Sequence, residues 1–215
     1  MKFRFDICGL VGFSVLLLFI TICQILYPNF NFTKIFISQL GDFAFTSNSL
    51  FFNVAILLGG ISLSLFSVGF GITLRHLLGK FGLISGLFSG ITGALVGVFP
   101  MELGLIHGVV AYCFFGSSIV TILLFTLSSF QQRRKIPKGE IIVLTIAQIG
   151  CAIYYFASNL PLFEWGTYYL VTAWILFTSL WHILKHFRAK RAFKHIPKSI
   201  TIIDHSILLE PIIDS

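Results

Sequence analysis

Six apolar runs, each close to the ~20 residues that cross a bilayer as a helix, follow one another along the chain and leave it essentially one class of fold. They are expected at Ile7–Tyr27, Leu50–Leu74, Phe81–Phe99, Leu105–Leu127, Ile141–Ser158 and Thr167–Leu184. Inside a bilayer no water is present to satisfy backbone N–H and C=O groups, so segments of this length must be helical. The fold class is therefore all-α, a polytopic transmembrane bundle of about six helices. Only 11% of residues are charged and the mean hydropathy is +0.94, against roughly a quarter charged in a soluble domain. Six spans consume most of the 215 residues. Residues 1–198 are thus expected to form a single six-helix transmembrane domain and residues 199–215 a short cytoplasmic tail. No small-residue cleavage pattern follows the first run, which reads as a retained signal anchor.

The basic residues orient the bundle. Lys2 and Arg4 precede the first span, Arg75 and Lys80 lie between the second and third, and Arg133, Arg134, Lys135 and Lys138 between the fourth and fifth. Lys185, Arg188, Lys190, Arg191, Lys194 and Lys198 follow the sixth. With six spans, every one of the 15 lysines and arginines except Lys34 falls on one side. The positive-inside rule makes that side cytoplasmic and both termini with it, in a multi-pass protein of the cell membrane. The formal charge of +7 is accounted for by topology and by contact with anionic lipid, so membrane lipids are the expected partners and nucleic acid is not.

No Asp, Glu, Lys or Arg lies near the middle of a span, which weighs against ion-coupled transport and proton pumping. Gln148 is the strong polar group at mid-depth and is expected to hydrogen-bond a neighbouring helix. Polar residues gather instead at the outer ends of the spans. Ser38 and Asp42 lie in the first outer loop, Asn53 opens the second span, Glu102 follows Pro100, and His107 begins the fourth span. Their shared depth makes them the candidate outer-face pocket. A histidine with a carboxylate partner moves protons at neutral pH, and a serine beside it has the makings of a nucleophile. The competing reading is architectural, since proline and a carboxylate together also make a good helix start. The first outer loop mixes aromatic and polar residues, as expected of a segment folded over the bundle mouth.

The third span carries Gly82, Gly86, Gly90 and Ala94 at intervals of four, flanked by Ser85, Ser89, Gly93 and Gly97. Two small-residue stripes let neighbouring backbones approach closely, and this span is expected to sit at the centre of the bundle with the second as its closest partner. Cys8, Cys23, Cys113 and Cys151 are scattered through apolar segments and read as packing residues, neither disulfides nor metal ligands. His182 and His186 share a helical face at the basic end. With His76 they carry the only case for haem or zinc, but Trp181, Lys185 and Arg188 around them point to interface anchoring. No metal or cofactor is therefore expected.

The sequence Ser38-Gln39-Leu40-Gly41, then Asn53, then Gly97-Val98-Phe99-Pro100, then His107 with Phe114 resembles the family known as domain of unknown function 998, membrane proteins of about six helices. The resemblance implies a six-helix fold and a shared polar site at the outer face, with no established reaction attached. The expected function is accordingly that of a membrane protein whose outer-face pocket binds a lipid or another amphipathic small molecule. An enzyme acting on lipid or a lipid-linked substrate at that pocket and a non-catalytic membrane scaffold are the alternatives.

Overall fold

The computed structural model describes residues 2–44, 47–132 and 137–194. Six helices account for most of it: α1 (Lys2–Leu26), α2 (Ser49–Gly71), α3 (Leu77–Val98), α4 (Leu105–Gln131), α5 (Lys138–Ser158) and α6 (Pro161–Lys194). All six are long and apolar enough to cross a membrane, and no strand occurs among the described residues. The tail at 199–215 and the basic residues Arg133, Arg134, Lys135 and Lys198 lie outside the described residues. Large apolar side chains such as Leu18, Ile25, Ile84, Val143, Ile146 and Ile153 cover the exterior, as a lipid-facing surface requires.

The helices form a ring in chain order, each packed on the next, and α6 closes the ring against α1. Three connections, 27–48, 99–104 and 159–160, gather at one end of the bundle, the loop end. The opposite, basic end is where α2 passes to α3 and α4 to α5. Interlocked rings from α2, α4 and α6 fill the interior. Phe70 meets Phe125 edge-on at 4.8 Å, Phe66 stacks on Phe70 at 5.5 Å, and Phe125 stacks on Trp174 at 6.4 Å.

The expectation that α3 sits centrally is corrected. Its two stripes do meet neighbours, but only those on either side: a Cβ on Gly60 of α2 would stand 2.6 Å from the Ala94 Cα and the Gly90 carbonyl oxygen, and one on Gly82 2.6 Å from Phe125 of α4. Between α3 and α4 the serine stripe is bonded as well, with Ser85 Oγ donating to the Ser117 carbonyl at 3.1 Å and Thr121 Oγ1 donating to Ser85 Oγ at 2.9 Å. Small residues let a helix lie flat on its neighbours, yet they supply no volume to fill a core. The centre goes to helices with large rings. Gln148 also departs from expectation. It is fully buried on α5, and neither amide atom has a hydrogen-bond partner among the described residues.

The start of α6 is the other difference. The polar stretch around Glu164 reads as loop by hydropathy, but the helix begins at Pro161. Asn159 caps α5 in the left-handed conformation at φ 49°, its N–H bonded to the Tyr155 carbonyl at 2.8 Å. Proline then suits the first helical turn, where a missing N–H costs nothing, and Glu164 complements the helix dipole.

Candidate functional site

Chain entering the bundle from a loop must find partners for its backbone or pay for burying it bare. The segment between α1 and α2 meets that demand with a short 3-10 turn, Ile37–Gly41, in which Ile37, Ser38, Leu40 and Gly41 are buried. Side chains from α2 and α6 hold it down. Glu164 Oε2 accepts the Ile37 N–H at 2.9 Å, Trp165 Nε1 donates to the Ile35 carbonyl at 2.8 Å, and Asn53 Nδ2 donates to the Gly41 carbonyl at 2.9 Å. Phe30 and Phe32 pack edge-on against the Trp165 ring at 5.4 and 5.3 Å. Thus held, the turn places Ser38 inside the bundle mouth.

On the facing side the chain leaves α3 through Pro100 and the 3-10 turn Met101–Leu103, then reverses at Gly104, whose φ of 51° favours glycine. His107 follows in the first turns of α4 and is buried. Its Nδ1 lies 2.7 Å from the Phe99 carbonyl oxygen. A carbonyl only accepts, so Nδ1 carries the hydrogen, and in the neutral ring Nε2 keeps its lone pair.

Ser38, His107 and Glu164 line a cavity with about 630 Å³ of empty space, part of it open to the surroundings. Beyond these three the walls are almost wholly apolar, with Phe13, Leu16, Phe52, Phe114, Phe115 and Val171 among them. Gly59, Gly60 and Gly93 lend width where side chains would fill it. A second hollow, lined also by Met101, Tyr155 and Asn159, shares Ser38, His107, Ala111 and Glu164 with the first. The polar side chains therefore stand where the two hollows adjoin, against the apolar walls of the first.

The structure brings together two of the five candidate residues, Ser38 and His107, and leaves three outside that lining. Asn53 is buried and occupied with the Gly41 carbonyl. Asp42 is buried and accepts the Ala44 N–H at 2.8 Å. Glu102 is exposed and accepts the Phe43 N–H. Desolvation, the largest single influence, pushes the Glu102 carboxyl up, but hydrogen bonds from its own N–H and those of Phe43 and Ala44, and one shared with Asp42, together outweigh it and hold the group below its ordinary value. Burial, and secondarily the charge of Asp42, push the nearby Tyr27 phenol up. In place of these three the mouth takes Glu164, fully buried in the first turns of α6, which hydropathy had assigned to a loop. The signal that would have found it is Asn159-Leu160-Pro161 followed by a carboxylate, a helix stop and a helix start back to back.

The family model for "Protein of unknown function (DUF998)" matches residues 10–181. The chain belongs to the DUF998 family. No curated protein and no solved structure matches it. The matched range in this DUF998 protein spans the whole mouth, from the first turn of the Ser38 segment to Glu164 and the α6 wall. At the basic end, His182 Nδ1 lies 3.3 Å from Asp6 Oδ1 and the ring stacks on Phe70 at 5.2 Å. His76 stands exposed at the start of α3. Among the described residues no group of three or more His, Cys, Asp or Glu side chains is placed to hold a metal ion. Cys8, Cys23, Cys113 and Cys151 are all free thiols.

Proposed function

We propose that this DUF998 protein binds a lipid or similarly built amphipathic small molecule in the passage between Ser38, His107 and Glu164 and the apolar chamber beneath them. The observation that carries this reading is the combination of three convergent polar side chains with walls of phenylalanine, leucine and valine. The distribution of Lys and Arg supports an orientation in the cell membrane with both termini cytoplasmic and the mouth facing outward.

The test is retention of a ligand. Protein purified in mild detergent should carry a stoichiometric amphipathic molecule detectable by native mass spectrometry. Ala111→Phe, placed where the two hollows meet, should lose it while keeping its thermal midpoint. Equal lipid content in the two proteins would reject the reading.

One observation favours a second reading, an enzyme acting on lipid or a lipid-linked substrate in the same passage. The Phe99 carbonyl fixes the His107 tautomer that leaves Nε2 free as a base, and Ser38 lines the same cavity. In that case His107→Gln abolishes turnover of the bound molecule without loss of binding.

A further inference from the structure

Every seam of the ring but one is shut at a glycine. A Cβ on Gly9 of α1 would stand 2.5 Å from Ser179 Oγ of α6, and one on Gly59 of α2 2.7 Å from the Leu16 side chain of α1. Gly60 and Gly82 close the α2–α3 and α3–α4 seams in the same way, and a Cβ on Gly166 of α6 would stand 2.7 Å from Cys151 Sγ of α5. The seam between α4 and α5 differs at its loop end. Among the described residues a Cβ on Gly108 would meet nothing within 4 Å, and one on Gly116, further along α4, only the rim of the Phe156 ring at 4.0 Å. Towards the basic end the same seam is bonded, with Thr126 Oγ1 and Thr145 Oγ1 2.9 Å apart. The gap coincides with the second hollow, whose walls include Gly104, Gly108 and Tyr112 on one side and Tyr155 and Asn159 of α5 on the other. Gly104, Tyr112 and Asn159 are exposed, so that hollow reaches the surface where Ser38, His107 and Glu164 form its inner wall.

The flanks of the gap suit lipid. Leu105, Ile106 and Val109 on α4 and Tyr154 and Phe156 on α5 all expose apolar or aromatic surface beside it. From the loop end the site is covered by the 27–48 segment, tied down by Glu164 at Ile37, Asn53 at Gly41 and Glu102 at Phe43. An amphipath coming that way would have to carry its chain through water and undo the clasp. One coming between α4 and α5 keeps its chain among apolar groups throughout, and it is the exposure of methylenes to water that the hydrophobic effect opposes. Resting on the reading that the two hollows hold an amphipath, we infer that the ligand is a lipid of the bilayer itself, which enters sideways through a portal between α4 and α5 with Gly108 as its threshold. The chain passes Gly108 to lie along Phe52, Phe114 and Phe115, and the head stays beside Ser38, His107 and Asn159.

The probe is a phosphatidylcholine with a photoactivatable diazirine on one chain, delivered from cyclodextrin into vesicles that already hold the protein. Ultraviolet flashes at increasing times, followed by peptide mass spectrometry, separate two signals. Exposed Ile84 and Ile146 report arrival of the probe in the bilayer, and Phe52 and Val171, buried in the chamber wall, report entry. Gly108→Trp should slow labelling of the buried pair at least about fivefold relative to the exposed pair, while the level finally reached stays that of wild type. Gly108→Ala should match wild type throughout, since its methyl group meets nothing. If Gly108→Trp does not fold, the smaller plug Gly108→Leu takes its place. An unchanged rate in the plugged variant means that the lipid enters elsewhere, and a lowered final level means that Gly108 belongs to the site and not to its entrance. Either result overturns the portal and leaves the binding reading standing. Absence of labelling at Phe52 and Val171 in the wild type, or equal labelling there in Ala111→Phe, overturns both.

Discussion

Helices α3 and α6 face each other across the ring and pack by opposite means. Through Gly60, Gly90 and Ala94, α3 touches α2 almost backbone to backbone, and its buried residues are all glycine, serine or threonine. Trp165, Tyr168, Val171, Trp174 and Ile175 give α6 its buried face and much of the core. Yet both lead into a glutamate that grips the same loop: Glu102, just past α3, accepts the Phe43 N–H in the open, and Glu164, at the start of α6, accepts the Ile37 N–H in the interior. A helix of small residues fixes where its neighbours' backbones run, whereas a helix of large ones sets what the interior can hold. The cavity needs both, since Gly93 of α3 leaves width beside Gly59 and Gly60 of α2, and the walls at Tyr168 and Val171 come from α6.

The sharpest way to break this comparison is at the α2–α3 crossing. A Cβ on Gly90 would stand 2.6 Å from the Ser64 backbone nitrogen and 2.7 Å from the Gly60 carbonyl oxygen, so relief requires the helices to part. Gly90→Leu should cost about 3 kcal/mol or more, read as loss of the folded, monodisperse protein in detergent. Leu123→Phe, on a partly exposed lipid-side position of α4, should leave the thermal midpoint within a few degrees of wild type. Similar midpoints for the two variants would mean that α3 does not need its close approach.

The next largest effect belongs to Glu164. Removing its carboxyl leaves the Ile37 N–H buried without an acceptor, a loss of about 1–3 kcal/mol, so Glu164→Ala should lower the midpoint clearly. Glu164→Gln, which keeps an acceptor oxygen, should recover most of the loss. If alanine and glutamine behave alike, the bond to Ile37 is not what Glu164 contributes. Trp174→Phe should follow at about 1–2 kcal/mol. The stack on Phe125 survives, and the indole N–H has no hydrogen-bond partner to lose among the described residues. An aromatic core with rings at 4.8 to 6.4 Å can rearrange around a smaller ring, which a backbone crossing cannot do around a larger side chain.

The same contrast explains how much could be read from the sequence. The stripes of α3 were visible because glycine and serine at intervals of four let neighbouring helices approach closely in lipid. That spacing says which helices touch but nothing about which one is central. The α6 start was hidden because Glu164 lowers local hydropathy, and hydropathy cannot distinguish a carboxylate that ends a span from one folded into its first turn. Ser38 and His107 could be placed at one depth from span boundaries alone. The occupation of Asp42, Asn53 and Glu102 could not, because any of them can satisfy a backbone group, and which N–H or carbonyl arrives unpaired beside it is decided only when the 27–48 segment folds over the mouth. Gln148 failed for the converse reason: a mid-membrane amide implies a partner, but the sequence does not say that neighbouring side chains reach it.

The smallest expected effect is a pH dependence confined to the exposed clasp. The Glu102 carboxyl is held below its ordinary value of 4.5 by the hydrogen bonds it accepts from Phe43 and Ala44 and shares with Asp42. A carboxyl whose folded value is depressed stabilises the fold fully above the unfolded value and loses that contribution as pH falls through the folded one. The clasp between the α3–α4 connection and residues 43–44 should therefore be intact at neutral pH and loosen only below about pH 4.5, with amide exchange at Phe43 and Ala44 rising in excess of the intrinsic rate. Glu102→Gln should remove that acid-dependent rise and leave exchange at Ile37 unchanged, because Ile37 is held by Glu164 from the opposite helix. A concerted rise at Ile37 and Phe43 with a single midpoint would mean that the two glutamates hold one cooperative cap, and that the exposed and buried grips on the loop are not separable.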